Sequence, residues 1–383
     1  MVGFYKVSLI GGSHLAGVGG VCQDACNVKT LANGWVVAVI ADGLGSAKHS
    51  DVGARCAVEE VIRFVENNVP ERWHPESLMA VLRVSYHAAL KRIKIVAAEQ
   101  DNPAHEYDTT LTSVIYNGVG AVVGHVGDGG IVTLSAYGDF TIATKAQKGE
   151  EFNEVVPLKA GPDYWSFAEL PGPICALLMM TDGVYDVACP WLIAKSSQPV
   201  YVNYVRPFMD INILAVKTAD DFENVQVEIE EFLTSDMSRQ ITDDKTVVCL
   251  INTDTIPETK PVEYYVEPDW ATMAKQHREK LYGHATTGAD VNAQAQASEP
   301  TEPERAGAPD MATPPFPMVD GNGQASFCES VQTNRCEMKW SPAQAINAYQ
   351  GATKARVTRD GRRSVRRSRK KKQSFFSSLF QKK

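Results

Sequence analysis

The sequence lacks the long hydrophobic run that a membrane-spanning helix requires. No stretch approaches 18 consecutive apolar residues, so we expect no transmembrane helix. A single lysine, Lys6, precedes a short apolar run at residues 7–10, which is too short for the hydrophobic part of a signal peptide. We therefore expect the protein to be cytoplasmic.

The sequence also lacks the cysteine patterns of zinc and disulfide-bonded proteins. Its eight cysteines form no Cys-x-x-Cys pair and show no Cys/His spacing typical of zinc sites, which indicates free thiols in a reducing compartment. No G-x-x-x-x-G-K-[ST] or G-x-G-x-x-G run stands between a strand and a helix, which argues against kinases, P-loop NTPases and Rossmann-type enzymes.

Charge is unevenly distributed along the 383 residues. Residues 354–383 contain 13 Lys or Arg residues and one Asp, a net charge of +12; the total of −8 therefore leaves −20 for residues 1–353. Because an acidic body repels polyanions, this distribution argues against a nucleic-acid-binding protein and indicates a separate role for the basic tail.

Acidic residues recur at the ends of apolar, β-branched runs. Asp42 and Asp182 each follow such a run and precede a glycine, which lets the backbone turn sharply beside the carboxylate. Asp244 precedes an apolar run, and Asp24 and Asp128 lie in similar settings. Each acid alone could simply make a turn or cap a helix. Together they predict carboxylates gathered at strand ends around hard divalent cations.

The order of predicted elements argues against a βαβ alternation. Strands are predicted at Tyr5–Ile10, Trp35–Ala41, Thr110–Tyr116, Gly120–Val126, Gly130–Ala136, Phe140–Thr144, Cys175–Thr181 and Thr246–Ile251. Helices are predicted from Ser50, at Glu76–Ala98, after Asp182 and at Phe222–Leu233. We therefore predict an α+β fold, a four-layer α-β-β-α sandwich of two antiparallel β-sheets flanked by helices.

Six short motifs occur in a fixed order. They are Gln23-Asp24-Ala25, Ala41-Asp42-Gly43-Leu44-Gly45, Thr109-Thr110-Leu111-Thr112, His125-Val126-Gly127-Asp128, Met180-Thr181-Asp182-Gly183-Val184-Tyr185-Asp186 and Thr242-Asp243-Asp244-Lys245-Thr246-Val247. Over about residues 5–252 the chain thus resembles the metal-dependent protein phosphatases of the 2C type. Its opening motifs are similar to a bacterial branch whose members are often linked to kinase and von Willebrand A-type partners.

The resemblance implies a β-sandwich with a metal site and assigns roles to particular residues. Asp42 corresponds to the acid that bridges two metals, and the carbonyl of Gly43 to a ligand of one of them. Asp182 and Asp244 correspond to two further metal-site acids, and Asp24 to an acid that acts on the metals largely through water.

The remaining two acids, Asp128 and Asp186, correspond to those that help to hold a third, weaker metal. The implied cofactors are two Mg²⁺ or Mn²⁺ ions with a third site. The implied reaction is hydrolysis of a phosphoserine or phosphothreonine in a partner protein, by a hydroxide that bridges the metals.

The chain departs from the family at the position of a phosphate-gripping arginine, where it has Gly19. We consider His14, Lys48 and His49 as candidates for phosphate binding in its place. The alternative for His14 is a solvated loop residue, and for Lys48 an ordinary surface lysine.

Two other departures affect charge and catalysis. Gln23 replaces a frequent glutamate, and Leu44 replaces a frequent histidine, which is a proposed general acid. Loss of a general acid typically costs about 10²–10⁴-fold in rate. A second hypothesis therefore stays open: a catalytically weak pseudo-phosphatase that acts as a phosphoprotein-binding or scaffold module.

A variable flap is expected beside the active site at residues 190–221. Its apolar residues are Tyr201, Tyr204, Phe208 and Met209. They fit either a partner-binding face or packing beneath the flap.

Four segments are predicted from composition. Residues 1–253 form the catalytic domain, and residues 254–284 contain a short docking helix and linker. Residues 285–353 form a mostly disordered Ala/Pro-rich tether with a short helix near 342–350, and residues 354–383 form a basic tail with an aromatic end.

The basic tail is compatible with several partners. Basic residues followed by Phe375, Phe376, Leu379 and Phe380 fit an anionic membrane surface, which would place the protein peripherally at a membrane. An acidic partner protein and a simply solvated tail are the alternatives, and phosphorylation of serines within the basic run would weaken any of these contacts.

Overall fold

The structure, a computed structural model, describes residues 1–15, 20–147, 155–214, 216, 218–235, 238 and 241–282. The chain separates into two compact units. The described part of the first ends at Asp269, and the described part of the second is a single helix, α8 (Trp270–Tyr282).

Two antiparallel five-stranded sheets form the first unit. In spatial order, the first sheet contains β1 (Val2–Leu9), β10 (Lys245–Asn252), β9 (Ile174–Met180), β6 (Gly130–Ser135) and β7 (Phe140–Ile142). The second contains β2 (Ala25–Thr30), β3 (Val36–Ala41), β4 (Leu111–Tyr116), β5 (Ala121–Val126) and β8 (Ser166–Leu170). β1 and β10 pair antiparallel, with Val2 opposite Asn252 and Leu9 opposite Lys245.

Helices cover the outer faces of both sheets. The α-helices of the first unit are α1 (Gly12–Leu15), α2 (Ser50–Asn68), α3 (Pro75–Glu99), α4 (Asp182–Ala188), α5 (Val202–Met209), α6 (Ile211–Leu214) and α7 (Ala219–Thr234). Helices α2 and α3 pack on the second sheet, while α5 and α7 pack on the first. The α-β-β-α sandwich predicted from the sequence is therefore confirmed.

Strand β3 shows why two cores form. All six of its residues are buried, and successive side chains point to opposite faces of the sheet. Val37 and Val39 join the core beneath α2 and α3, whereas Ala38 and Ile40 join the core between the two sheets. An unbroken apolar run is thus the pattern that a strand covered on both faces requires.

Strands β2 and β8 were not predicted from the sequence. Both are edge strands, and the residues of each are half-buried or exposed. Edge strands pack on fewer neighbours, so their sequences need no apolar alternation, and none is visible in Ala25–Thr30.

The flap residues pack inward. Tyr201 and Tyr204 are 4% exposed, and Phe208 and Met209 are fully buried. Tyr5 donates a hydrogen bond of 2.6 Å from its hydroxyl to the carbonyl oxygen of Phe208, which ties α5 to β1. The partner-face interpretation of these four residues was wrong, because their side chains lie in the core.

Residues 254–269 continue the compact unit beyond the predicted domain end at 253. The side-chain amide of Asn203 donates to the carbonyl oxygen of Tyr265 at 3.0 Å, and the Arg206 guanidinium lies 4.1 Å from the ring centroid of Tyr265. The segment is therefore fastened across α5.

Three predicted segments lie outside the described residues: the tether, the short helix near 342–350 and the basic tail. No helix in the described part of the chain is long and apolar enough to cross a membrane.

Candidate metal centre

Three carboxylates meet at one end of the sandwich. Asp42 follows the last residue of β3, Asp128 lies in the turn between β5 and β6, and Asp182 follows β9. One oxygen from each lies within 4.8 Å of the other two, and all three side chains are partly buried. Residues distant in sequence thus supply one all-oxygen cluster.

The backbone beside Asp42 is fixed by Thr110, the residue before β4. The amide of Thr110 donates to the carbonyl oxygen of Asp42 at 2.8 Å, and the amide of Asp42 donates to the Thr110 hydroxyl oxygen at 2.9 Å. A β-carbon on Gly43 would lie 2.7 Å from the carbonyl oxygens of Gln23 and Ser50, so this position has no room for a side chain.

Asp24 and Asp244 lie beside each other next to this cluster. Asp24 accepts a hydrogen bond of 2.8 Å from the Thr181 hydroxyl, while its other oxygen is buried and has no hydrogen-bond partner among the described residues. Asp244 is 2% exposed and accepts 2.6 Å hydrogen bonds from the amides of Gly11 and Gln23. It therefore fastens two loops and lies outside the three-carboxylate group.

Burial and mutual repulsion raise the pKa values of the site acids. Burial, followed by repulsion from Asp128 and Asp243, raises the pKa of Asp182 to about 7. Burial, then the charges of Asp244 and Asp182, raise the pKa of Asp24 to about 7. For Asp42, burial and then Asp24 and Asp182 raise the pKa well above its usual range. The carboxylates are therefore costly to ionise together unless cations offset them.

This donor set fits hard divalent ions. The cluster offers carboxylate oxygens alone, which suit Mg²⁺ or Mn²⁺ rather than zinc. The unpartnered buried oxygen of Asp24 is a further acceptor that a cation or its water would satisfy. Asp42, Asp128 and Asp182 are the described residues that could hold such ions directly, with Asp24 beside them.

The other acids of the region occupy distinct positions. Asp186 is exposed on α4, four residues after Asp182, and contributes to raising the pKa of that acid. Sequence reasoning did not assign Asp243, whose charge acts on both Asp42 and Asp182. The adjacent pair Asp243-Asp244 was visible in the sequence, but nothing in the sequence shows that the charge of Asp243 acts on two other acids of the site.

The three candidate phosphate-binding residues lie in different settings. His14 Nδ1 is 2.9 Å from Asp244 Oδ1; burial lowers the pKa of His14, but Asp244, Asp243 and Asp24 raise it more. His49 Nε2 lies 3.7 Å from Glu106, and Lys48 is exposed. Only His14 contacts a site acid, and Gly19 lies outside the described residues.

Leu44 occupies the position of the expected histidine. Its amide donates to the carbonyl oxygen of Asp108 at 3.0 Å, and its half-buried side chain carries no proton to donate. The described site therefore has no general acid at this position.

Comparison with known proteins identifies the family. The family model for protein phosphatase 2C matches residues 10–233. The Serine/threonine-protein phosphatase 3 of Escherichia coli (strain K12) is 25% identical over 254 residues, which cover 63% of this chain and 95% of that protein.

Several solved structures are similar at low sequence identity. The serine/threonine phosphatase Stp1 from Staphylococcus aureus is 14% identical, with a TM-score of 0.45 over 66% of this chain and 95% of that one. The catalytic domain of the serine threonine protein phosphatase PstP, solved in complex with 2 manganese ions, is 16% identical, with a TM-score of 0.43 over 65% and 97%.

Proposed function

Because this chain belongs to the protein phosphatase 2C family, we propose that it hydrolyses phosphoserine and phosphothreonine in proteins with the help of two divalent ions. The main support is the cluster of Asp42, Asp128 and Asp182, whose oxygens lie within 4.8 Å of one another. Partly buried acids this close together destabilise the fold when they are ionised, and bound cations offset this cost.

Asp42, Asp128 and Asp182 hold Mg²⁺ or Mn²⁺ in this proposal, and Asp24 accepts hydrogen bonds from water beside the ions. When bound, the ions lower the pKa of water towards neutrality and offset the charge of the phosphate oxygens. A third, weaker ion beside Asp128 and Asp186 belongs to the same proposal.

The protein's own groups hold these acids in place. The Thr181 hydroxyl fixes one oxygen of Asp24, and the amides of Gly11 and Gln23 fix both oxygens of Asp244. In the reaction, an oxygen from water bonds to phosphorus, the bond from phosphorus to the serine oxygen breaks, and that oxygen receives a proton. With Leu44 in place of a histidine, the proton comes from solvent.

The second candidate, a pseudo-phosphatase, is favoured by that same leucine. Loss of a general acid typically lowers rates by about 10²–10⁴-fold, which would leave a binding module with weak activity. The two candidates predict the same metal binding but different turnover.

Hydrolysis of p-nitrophenyl phosphate with Mn²⁺ or Mg²⁺ tests the proposal. We expect EDTA, Asp42→Asn and Asp182→Asn each to abolish hydrolysis. The matched control is Asp101→Asn at the end of α3, where φ is 55°, a conformation that asparagine adopts readily. Activity that survives EDTA and both site variants contradicts the metal mechanism.

Isothermal titration calorimetry with Mn²⁺ distinguishes the two candidates. A native protein that binds Mn²⁺ and hydrolyses no phosphoester is a pseudo-phosphatase. One that does both, and loses both with Asp182→Asn, is the phosphatase that we propose.

A further inference from the structure

A groove lies at the edge of the sandwich and shares Asp24 with the acidic site. It lies between β1, β2 and α2 and has a volume of about 450 Å³. Its polar lining includes Lys6, Asp24, Asn27, Asp51, Arg55 and Glu59. Asp24 belongs to both the groove and the acidic site, so a peptide bound in the groove lies beside the metal centre.

Three charges of alternating sign line the α2 wall of this groove. Asp51, Arg55 and Glu59 are four residues apart and therefore lie on one face of the helix, with about 6 Å of rise between neighbours. The side chains of Arg55 and Glu59 are exposed, and Asp51 is half-buried. In the described part of the chain, Arg55 forms no ion pair.

Arg55 offers the groove a guanidinium that forms no ion pair with a described residue, whereas Lys48 does not line the groove. His14 lies against Asp244, His49 lies near Glu106, and the basic group of Lys6 donates to Asn27 at 3.0 Å. Arg55 is the one arginine that lines the groove among the described residues. A guanidinium matches phosphate geometry with two parallel hydrogen bonds.

The C-terminal tail carries the complementary pattern. Ser364 has Arg362 and Arg366 two residues away on either side, and Ser368 has Arg366 and Lys370 in the same places. In an extended peptide, residues two apart are separated by about 6.6 Å. A phosphoserine at either position is therefore a negative charge between two positive ones. Helix α2 carries the opposite order, a positive charge between two negative ones, and neighbouring charges are about 6 Å apart in both.

The chain between body and tail is long enough for this contact. Ser364 follows Asp269 by 95 residues, a contour of about 300 Å when extended. A domain of about 270 residues is roughly 50 Å across. The body also carries most of the −20 net charge of residues 1–353, which attracts the +12 tail.

We propose that the groove is the substrate groove for a phosphoserine with basic residues two positions away on each side, and that the chain's own tail, phosphorylated at Ser364 or Ser368, is its occupant. Arg55 binds the phosphate, and Asp51 and Glu59 bind the flanking basic side chains. This inference rests on the proposed function. The phosphate is supplied by an ATP-dependent protein kinase and is released as inorganic phosphate when water replaces the serine oxygen on phosphorus.

Synthetic phosphopeptides of residues 358–370 with phosphoserine at 364 test the pattern. One peptide carries neutral citrulline in place of Arg362 and Arg366, and its control carries citrulline in place of Arg363 and Arg367. Both have the same net charge. With the full-length protein and Mn²⁺, we expect kcat/KM to fall about tenfold for the first peptide relative to the control.

Variants of the groove test the partner residues. Arg55→Gln is expected to raise KM for the unmodified phosphopeptide about tenfold, and Asp51→Asn with Glu59→Gln to remove the difference between the two citrulline peptides. Arg63→Gln is the matched control, because Arg63 lies on the same helix outside the groove and pairs with Glu60. Circular dichroism of each variant checks the fold.

The cis reaction is tested on the full-length protein made by ligating a synthetic tail that carries phosphoserine at 364; the protein is kept in EDTA and then given excess Mn²⁺. A rate constant for phosphate release that does not change with protein concentration supports the inference. A rate constant proportional to concentration, equal kcat/KM for the two citrulline peptides, or retention on phosphatidylserine vesicles without any peptide preference overturns it. If p-nitrophenyl phosphate is also not hydrolysed, the proposed function fails as well, and the inference fails with it.

Discussion

Removing one acid from the metal centre is expected to stabilise the metal-free protein. In the folded state the pKa of Asp182 is raised to about 7, while an unfolded aspartate has a value near 3.8. The folded protein therefore holds a proton that the unfolded chain has lost. Stability from this group is fully present below about pH 4 and is lost as pH rises to about 7.

The magnitude follows from the size of the shift. About three pKa units correspond to roughly 4 kcal/mol at pH 8, and we halve this value because the site is partly open to solvent. We therefore expect Asp182→Asn in EDTA to raise the free energy of unfolding by about 2 kcal/mol at pH 8, and by less than about 1 kcal/mol at pH 5, where the carboxyl of the native protein is already protonated.

Urea denaturation followed by tryptophan fluorescence measures these values, with Asp101→Asn as the control that removes an exposed acid outside the cluster. Added Mn²⁺ should reverse the order of stability, because ions bound only by the folded native protein stabilise it in proportion to the logarithm of their concentration. A destabilised Asp182→Asn variant in EDTA at pH 8 would show that ionising the Asp182 carboxyl in the fold, against its burial and the neighbouring acids, costs no stability.

Three further outcomes are expected. Gly43→Ala should abolish activity and lower Tm in a thermal scan, because its β-carbon would lie 2.7 Å from carbonyl oxygens on both sides. Thr181→Val should lower kcat about tenfold in the phosphatase assay, since its hydroxyl fixes Asp24 at 2.8 Å; an unchanged kcat contradicts this role. It should also cost about 1–3 kcal/mol in stability, because the buried amide of Thr246 donates to the same hydroxyl at 3.2 Å. Tyr5→Phe should cost about 1–2 kcal/mol in urea denaturation, because it leaves the buried Phe208 carbonyl without its donor.

The interior strands could be predicted from the sequence because burial on both faces requires unbroken apolar runs. β3 and β9 are fully buried, and acids follow each of them at the end where the backbone leaves the sheet. Edge strands β2 and β8 carry no such pattern, and only their hydrogen bonds to β3 and β5 reveal them.

The flap shows the limit of composition. Tyr204 and Phe208 are aromatic residues of the flap, and their sequence fits a binding face as well as a core. The structure decides, because their rings pack on each other and on Phe232 from α7.

The sequence by itself was enough to place the acids after the interior strands, because the apolar run of a strand and the turn that follows it depend only on neighbouring residues. Only the tertiary structure decided which acids share one cluster. It groups Asp128 with Asp42 and Asp182, and it fastens Asp244 to the amides of Gly11 and Gln23. These pairings join residues tens to hundreds of positions apart, and their distances depend on how the two sheets pack.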